Sequence, residues 1–246
     1  MPGNVNIIHG DCMEAMAKMP DKAYDLAIVD PPYGGGATPP SEDTSKDTKL
    51  MGGVNTEWEQ KGRSRFGGIF NKYKIKTART SGGYAEKYGS KVKHWDLAPS
   101  EEYFNELARV SKNQIIWGGN YFLLPPTRCF LVWRKLTISE SFTMAMCEYA
   151  WTSFNDNAKW IEIAPQGTCK EERFHPTQKP IKLYKWCLQN YVKPGDKILD
   201  THGGSCSLAI ACHDMGFDCD IYEIDKDYYD AAVKRFNNHQ KQGRLF

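Results

Sequence analysis

Short apolar runs alternate along this chain with longer segments in which apolar residues recur every three or four positions. The short runs are rich in aliphatic and β-branched residues, which is typical of strands buried in a parallel sheet. The longer segments have the periodicity of helices packed along one face. Predicted strands cover residues 5–8, 23–29, 113–117, 129–133, 147–154, 198–200 and 219–222, and predicted helices cover 13–19, 99–110, 181–191, 207–215 and 226–240. This alternation predicts an α/β fold with a doubly wound, Rossmann-like sheet.

Two of the predicted strands follow each other without a helical pattern between them. Residues 129–133 and 147–154 are both aromatic and β-branched, which is typical of neighbouring antiparallel strands. We therefore expect a mostly parallel sheet with an antiparallel hairpin at its edge.

The regular patterning stops between residues 34 and 95, where glycine, serine, threonine and charged residues dominate. A long irregular segment within a compact domain is usually functional or disordered. We expect residues 1–246 to form a single domain into which residues 34–95 are inserted as a large loop region.

The inserted segment is strongly basic. Residues 61–93 contain ten lysines and arginines and one acidic residue, Glu86, with aromatic residues between them. This pattern favours a nucleic-acid contact, although a solvated loop has the same composition. The candidate phosphate-binding residues are Lys61, Arg63, Arg65, Lys72, Lys74, Lys76 and Arg79.

Composition and charge exclude several classes of protein. The net charge of +2 is small, and no apolar run approaches the roughly 20 residues of a membrane span. The first residues have no secretory signal pattern, and the eight cysteines form no CxxC pair. We therefore expect a cytoplasmic protein with reduced cysteines and without a structural metal.

Candidate chemistry begins where the second predicted strand ends, at Asp30-Pro31-Pro32-Tyr33. The two prolines stop the strand because they cannot donate to a sheet ladder. A carboxylate, free carbonyls and an aromatic ring are thereby fixed at a strand's carboxyl end, where open α/β sheets bind ligands. These groups suit a flat ring that carries an amine, although a simple turn would use the same residues.

A second candidate element is the turn Asp200-Thr201-His202-Gly203-Gly204-Ser205, which links a predicted strand to a helix. The next strand ends in Glu223, whose carboxylate can accept from two ribose hydroxyls. Asp200 is unfavourable beside a pyrophosphate but suits the ammonium of a methionine moiety. The turn also lacks the GxGxxG and GxxxxGK[ST] spacings. S-adenosyl-L-methionine is therefore favoured over a dinucleotide or ATP.

Together these elements resemble the amino-group DNA methyltransferases of the DPPY type. The DPPY segment precedes the cofactor turn, as in the permuted β group of that family, and His175-Pro176-Thr177-Gln178-Lys179-Pro180 resembles a family element found just before the cofactor strand. The resemblance covers residues 5–33 and 99–240. The family turn LDPFAGSGT is replaced here by LDTHGGSCS, so that Thr201, His202 and Cys206 are departures.

The resemblance implies a Rossmann-like methyltransferase fold and a set of cofactor contacts. Asp11, beside Cys12, would accept from the adenine amine, and Glu223 would hold the ribose. Thr177 and Lys179 would lie near the cofactor carboxylate, although a solvated Lys179 is an equal alternative, and Asp225 is more typical of a helix start. The candidate cofactor residues are Asp11, Cys12, Thr177, Lys179, Asp200, His202, Gly204, Ser205 and Glu223.

The implied reaction is methyl transfer to the exocyclic N6 amine of adenine in DNA. Asp30 and the Pro31 carbonyl would accept the amine hydrogens, Pro32 would stiffen the turn, and Tyr33 would stack on a base that is flipped out of the duplex. An N4-cytosine or RNA-directed amino methyltransferase is the nearest alternative. A nucleic-acid-binding protein without catalysis is a third.

The chain ends in Gln242-Gly243-Arg244-Leu245-Phe246, which resembles the short peptides that dock into bacterial sliding clamps. Gln242 would be a polar anchor, and Leu245 and Phe246 would be apolar plugs. A tail that packs on its own domain is the alternative.

Overall fold

A computed structural model describes residues 2–33, 98–141, 145–165 and 173–242. In these ranges eight strands form one sheet, and five helices pack on it. The strands are β1 (Val5–His9), β2 (Tyr24–Val29), β3 (Ser111–Trp117), β4 (Phe130–Lys135), β5 (Cys147–Thr152), β6 (Lys159–Ile163), β7 (Lys197–Asp200) and β8 (Asp218–Glu223). The helices are α1 (Cys12–Met16), α2 (Glu101–Val110), α3 (Ile181–Tyr191), α4 (Ser207–Met215) and α5 (Lys226–Gln242).

The strand order is β1-β8-β7-β2-β3-β5-β4-β6. β5 is antiparallel to both of its neighbours, and the other pairings are parallel. The predicted α/β sheet and its antiparallel hairpin are confirmed. The hairpin lies next to the edge rather than at it, because β6, which the sequence pattern did not predict, pairs with β4 beyond it.

Both faces of the sheet are covered, as a doubly wound fold requires. Successive residues of β2 point to opposite faces. Leu26 and Ile28 pack in a cluster with residues of α3 and α4, while Ala27 and Val29 pack with residues of α1 and α2. The central strands are therefore buried on both sides, which explains their continuous apolar runs.

The topology creates a crevice at the centre of the sheet. β2 and β7 are parallel neighbours, but the chain continues from β7 to β8 on one side and from β2 to β3 on the other. Connections that leave neighbouring strands in opposite directions open a crevice at the carboxyl ends of those strands. Asp30 follows β2 and Thr201 follows β7, so both predicted elements reach this crevice.

Two helix starts bear on the site. Asp11 is the N-cap of α1, and its Oδ1 accepts from the amides of Met13 and Glu14 at 2.6 and 3.3 Å. Ser100 occupies the N-cap position of α2, as predicted, although its side chain makes no capping hydrogen bond. Helix α1 ends at Met16, which is earlier than the predicted boundary at residue 19.

Candidate active site

A cavity of about 370 Å³ lies at the carboxyl ends of β2 and β7. Its volume falls within the range of small-molecule sites. The predicted catalytic residues Asp30, Pro31, Pro32 and Tyr33 all line it. So do eight of the nine predicted cofactor residues, namely Asp11, Cys12, Thr177, Lys179, His202, Gly204, Ser205 and Glu223.

Asp30 and Tyr33 form the end of the cavity that we call the transfer end. The Tyr33 hydroxyl donates to Asp30 Oδ1 at 2.7 Å. Burial and the nearby Asp30 carboxylate raise the pKa of Tyr33 well above its ordinary value, so the phenol is neutral. The Tyr33 ring stacks on Tyr121 with centroids 4.6 Å apart and planes inclined by 18°.

Gly118 explains how the Tyr33 ring fits there. It follows β3 with φ +70°, a left-handed conformation that favours glycine. A Cβ at this position would lie 2.1 Å from Tyr33 Cε1. The glycine therefore gives the Tyr33 ring room against the backbone.

Lys179 lies at the same end, buried, and forms ion pairs with Asp30 Oδ2 and, at 3.2 Å, with Glu148 Oε2. The solvated alternative for Lys179 is therefore wrong. Burial alone would lower the pKa of Lys179, but the carboxylates of Asp30 and Glu148 outweigh it and the pKa is raised. The ammonium contacts the predicted catalytic carboxylate, a pairing that the sequence pattern did not indicate.

The opposite end, which we call the cofactor end, is built from the turn after β7 and the end of β8. Glu223 Oε2 accepts from the amide of Gly204 at 2.6 Å, and its Oε1 accepts from the amide of Asp225 at 2.9 Å. Burial raises the pKa of Glu223. Asp225 in turn accepts from the amides of Asp227 and Tyr228, as expected of a carboxylate at the start of α5.

Asp200 does not line the cavity, although it was expected at the methionine end. It is buried behind the turn, where its Oδ1 accepts from the amide of His202 at 3.0 Å. Burial raises the pKa of Asp200 to about 7. Its carboxyl can act on a ligand only through the field it creates, or after the turn has moved.

The departures from the family turn are accommodated by specific contacts. Thr201 Oγ1 lies 2.6 Å from the Tyr103 hydroxyl and 2.9 Å from His202 Nδ1. His202 is thus a hydrogen-bonded turn histidine that also lines the cavity, and burial lowers its pKa to about 4. Cys206 has φ +53°, so it adopts the left-handed conformation that the family's glycine would favour.

Gly10, Asp11 and Cys12 form the wall that faces this turn. The two amides capped by Asp11 bind its Oδ1, which leaves Oδ2 as an acceptor. A Cβ at Gly10 would meet no heavy atom of the described residues within 4 Å, so a ligand has space to approach the backbone there. Burial and the Asp11 carboxylate raise the pKa of the Cys12 thiol to about 12, so it is protonated.

Several lining residues were not predicted as site residues. His175 was singled out only as part of the HPTQKP element, yet its ring covers Gly204, where a Cβ would lie 3.1 Å from His175 Cε1. Burial lowers the pKa of His175 to about 3, so the imidazole is neutral. The other lining residues that no sequence signal marked include Tyr103, Tyr184 and Tyr228.

The predicted DNA-contacting residues 61–79, and Leu245 and Phe246 of the tail, lie outside the described residues. Gln242 is the last residue of α5 and is exposed.

Among the described residues no cluster of three metal-ligating side chains occurs. In the same part of the chain, no helix has the length and apolar character to cross a membrane.

The comparisons with known proteins agree with this architecture. A family model described as DNA methylase, of the N6/N4 type, matches residues 116–234. The Escherichia coli (strain K12) protein YubD, provisionally named a methylase, is 23% identical over 93% of this chain and 88% of its own length.

Solved structures support the fold. A provisionally named DNA modification methylase of Thermus thermophilus, complexed with S-adenosyl-L-methionine, has a TM-score of 0.51 at 15% identity and covers 96% of this chain and 95% of its own. The cytosine-N4-specific PvuII DNA methyltransferase has a TM-score of 0.52 at 13% identity, with coverage of 96% and 87%. At these identities the likeness concerns the fold alone.

The sheet order, the crevice at the β2–β7 switch and the cavity that joins DPPY to a glycine turn match the Rossmann-like fold of the methyltransferases. The family match extends through the HPTQKP element, the turn and Glu223. Over residues 116–234, somewhat less than half of the chain, the sequence is similar to the N6/N4 DNA methylases.

Proposed function

We propose that this protein transfers the methyl group of S-adenosyl-L-methionine to the N6 amine of adenine in DNA. The observation that carries the proposal is that Asp30 and Tyr33 share one cavity with Glu223 and the Gly203-Gly204 turn. A methyl donor held at the cofactor end and an amine held at the transfer end would therefore meet inside it.

The cofactor end fits S-adenosyl-L-methionine. Asp11 and Glu223 both present carboxylate oxygens to the cavity from the ends of the neighbouring strands β1 and β8, and the open space at Gly10 admits a ligand to the backbone. Asp11 would accept from the adenine amine of the cofactor, and Glu223 would accept from its ribose. Thr177, Ser205 and His202 would line the methionine end. When bound, the cofactor supplies a methyl group on a positively charged sulfur.

The transfer end activates the target amine. The lone pair of an exocyclic amine is delocalised into its ring, which makes the amine a poor nucleophile. Asp30 Oδ1 can exchange the Tyr33 hydroxyl for an amine hydrogen and so draw the amine into a geometry that localises its lone pair. Positioning of the amine beside the methyl group then contributes much of the rate. Cys12 stays protonated, which agrees with direct attack rather than a cysteine intermediate.

Tyr33 provides the stacking surface. A paired adenine cannot reach a cavity at a strand end, so the base has to flip out of the duplex. Tyr121 already stacks on one face of Tyr33, and Tyr121 is 37% exposed. The flipped base would displace Tyr121 or use the remaining side of the Tyr33 ring. The choice of adenine over cytosine rests on the resemblance of DPPY to the adenine-N6 enzymes.

The basic segment 61–93 would neutralise DNA phosphates beside this opening, because it follows DPPY in the sequence. Residues 142–160 would contribute to target recognition. We expect the inserted segment to belong to the same single domain.

The test of this function is methyl transfer from tritiated cofactor to duplex DNA, followed by analysis of the deoxynucleosides. We expect labelled N6-methyldeoxyadenosine. Labelled N4-methyldeoxycytidine would move the protein to the cytosine branch, and label only in an RNA substrate would make it an RNA methyltransferase. Cofactor-independent DNA binding without label would favour a non-catalytic protein.

The tail would dock into a sliding clamp through Gln242, Leu245 and Phe246. The exposure of Gln242 at the end of α5 supports this proposal. Purified clamp should be retained by the wild-type chain and not by a Leu245→Ala, Phe246→Ala variant. Equal retention of clamp by both chains would remove the idea.

A further inference from the structure

Four charged side chains connect the transfer end to the neighbouring strands β5 and β4. Lys135, in β4, forms an ion pair with Glu148, in β5, and its Nζ lies 2.7 Å from Glu148 Oε1. Glu148 Oε2 lies 3.2 Å from Lys179 Nζ, and Lys179 also pairs with Asp30 Oδ2. We call these four residues the buried charge network.

The network is shielded from solvent. The exposed fractions of the Lys179, Lys135 and Asp30 side chains are 3%, 7% and 11%, and that of Glu148 is 24%. Burial by itself would raise the pKa of Glu148, but the two lysines outweigh it and the pKa is lowered, so Glu148 is ionised. Buried ion pairs stabilise a fold weakly compared with apolar packing of equal volume. Stability alone is therefore a poor reason for this arrangement.

The network leaves Asp30 with two unlike partners. Its Oδ2 is held by a cation, and its Oδ1 is held by the neutral Tyr33 hydroxyl. A neutral hydroxyl is the weaker partner, since it lacks the opposite charge through which the ammonium attracts the carboxylate. An incoming amine would thus replace Tyr33 at Oδ1 while Lys179 keeps the carboxylate in place.

Lys179 is itself held by several groups. Glu148 lies on one side of its ammonium, and the ring of Trp117 lies 5.7 Å away. Glu148 is fixed in turn by Lys135, which sits in a neighbouring strand. Three strands of the sheet, β3, β4 and β5, therefore hold one ammonium against Asp30.

We propose that Glu148 and Lys179 are positioning residues for methyl transfer: Glu148 holds the Lys179 ammonium on Asp30 Oδ2, which keeps the carboxylate in place with its Oδ1 aimed at the target amine. This inference rests on the proposed function. It assigns Lys179 to the nucleophile side of the reaction, whereas the family resemblance implied a contact with the cofactor.

The first test is Glu148→Gln, which removes one charge and keeps the shape of the side chain. We expect kcat to fall about tenfold to a hundredfold, because small displacements of a positioned group have effects of that size. The Kd of S-adenosyl-L-methionine should stay within about threefold of wild type. The KM for DNA should change little, because the network lies behind the carboxylate.

The double variant Lys135→Met, Glu148→Gln separates positioning from folding. It removes one positive and one negative charge together, so that Lys135 is not left buried without its partner. We expect its melting temperature to recover relative to Glu148→Gln while kcat stays low. If kcat recovers together with the melting temperature, the network is structural and the proposal is wrong.

Asp220→Asn is the matched control. Asp220 is a buried carboxylate on β8 that accepts from Asn6 and Tyr24 and pairs with Lys197, away from the cavity wall. The same one-atom change there should lower the melting temperature and leave kcat within about twofold. A loss of kcat equal to that of Glu148→Gln would show that destabilisation alone explains both, and would overturn the proposal.

Lys179→Met decides between the two roles of the lysine. Positioning predicts a large loss of kcat at saturating cofactor with an almost unchanged cofactor Kd. A Kd raised more than about tenfold, with kcat retained at saturation, would make Lys179 a cofactor ligand and overturn the proposal. If the wild-type chain transfers no methyl group to any nucleic acid, the proposed function itself fails. If the wild type and the Glu148 variants are equally active, the positioning role fails and the proposed function stands.

Discussion

The two ends of the cavity hold their carboxylates in different ways. At the transfer end, the charge of Asp30 is balanced by the buried ammonium of Lys179. At the cofactor end, Glu223 is held by the amides of Gly204 and Asp225, and its pKa is raised by burial. Amides orient a carboxylate but do not neutralise it. The charge of Asp30 is thus balanced before any ligand binds. A positively charged ligand would stabilise the carboxylate of Glu223.

This difference suits the two tasks that we propose. A carboxylate that must keep its position during the reaction benefits from a fixed cation, since the site needs no rearrangement at that moment. A carboxylate that must attract a cationic cofactor gains from having no competing lysine. Substitutions at each end test this division, and they follow in order of expected effect.

Asp30→Asn should have the largest effect, because it removes the acceptor charge at the reacting amine. We expect kcat to fall by about 10³-fold, within the range for a group that acts directly on proton positions. The cofactor Kd should stay near the wild-type value. Tritium transfer to DNA and calorimetric titration measure the two quantities, and a variant that loses cofactor binding instead would contradict the division.

Glu223→Gln should act at the other end. Its amide can no longer accept at both oxygens, so the contacts of the Gly204 and Asp225 amides and the proposed ribose contact are disturbed. We expect the Kd of S-adenosyl-L-methionine to rise about tenfold to a hundredfold, which calorimetry would detect. Asp220→Asn serves again as the control, and an unchanged Kd in Glu223→Gln would show that Glu223 does not bind the cofactor.

Neutralising Lys72, Lys74 and Lys76 together should weaken DNA binding by about tenfold at moderate salt. Loss of three phosphate contacts should also make the slope of log K against log salt shallower by about 2.7. Fluorescence anisotropy at several salt concentrations measures both values. Unchanged affinity throughout the series would remove the basic segment from the DNA contact.

The pH dependence of cofactor binding reports on Asp200, whose pKa is raised from 3.8 to about 7 by burial. Because folding raises this pKa, protonation of Asp200 stabilises the folded protein in full below about pH 4. That stabilisation is lost as the pH rises through about 7. A bound cation favours the carboxylate, so binding releases a proton below pH 7. We expect the cofactor Kd to fall up to about tenfold between about pH 6 and 8 and to change less in Asp200→Asn. The same slope in both proteins would exclude Asp200.

Much of the fold could be predicted because its signals are local. The central strands are apolar runs, and the turns after β2 and β7 carry their own proline and glycine signals. Strand β6 was missed because Lys159–Ile163 is a run of only five residues, of which two are charged and one is buried. The position of β5 between β3 and β4 depends on pairings between distant segments, which a local pattern does not contain.

The same limit applies to the site. DPPY and Glu223 could be recognised because each ends a strand. Lys179 is 149 positions from Asp30 in the sequence, so nothing near either residue indicated their contact. Asp200 was expected on the cavity wall, but the turn covers it.

The most direct test of the division between the two ends is a single-turnover measurement of methyl transfer at increasing cofactor concentration. Glu223→Gln should approach the wild-type rate once the cofactor saturates, because only binding is impaired. Asp30→Asn should remain about 10³-fold slower at every concentration. If saturating cofactor restores Asp30→Asn, or if Glu223→Gln stays equally slow at saturation, binding and transfer are not divided between the two ends of the cavity.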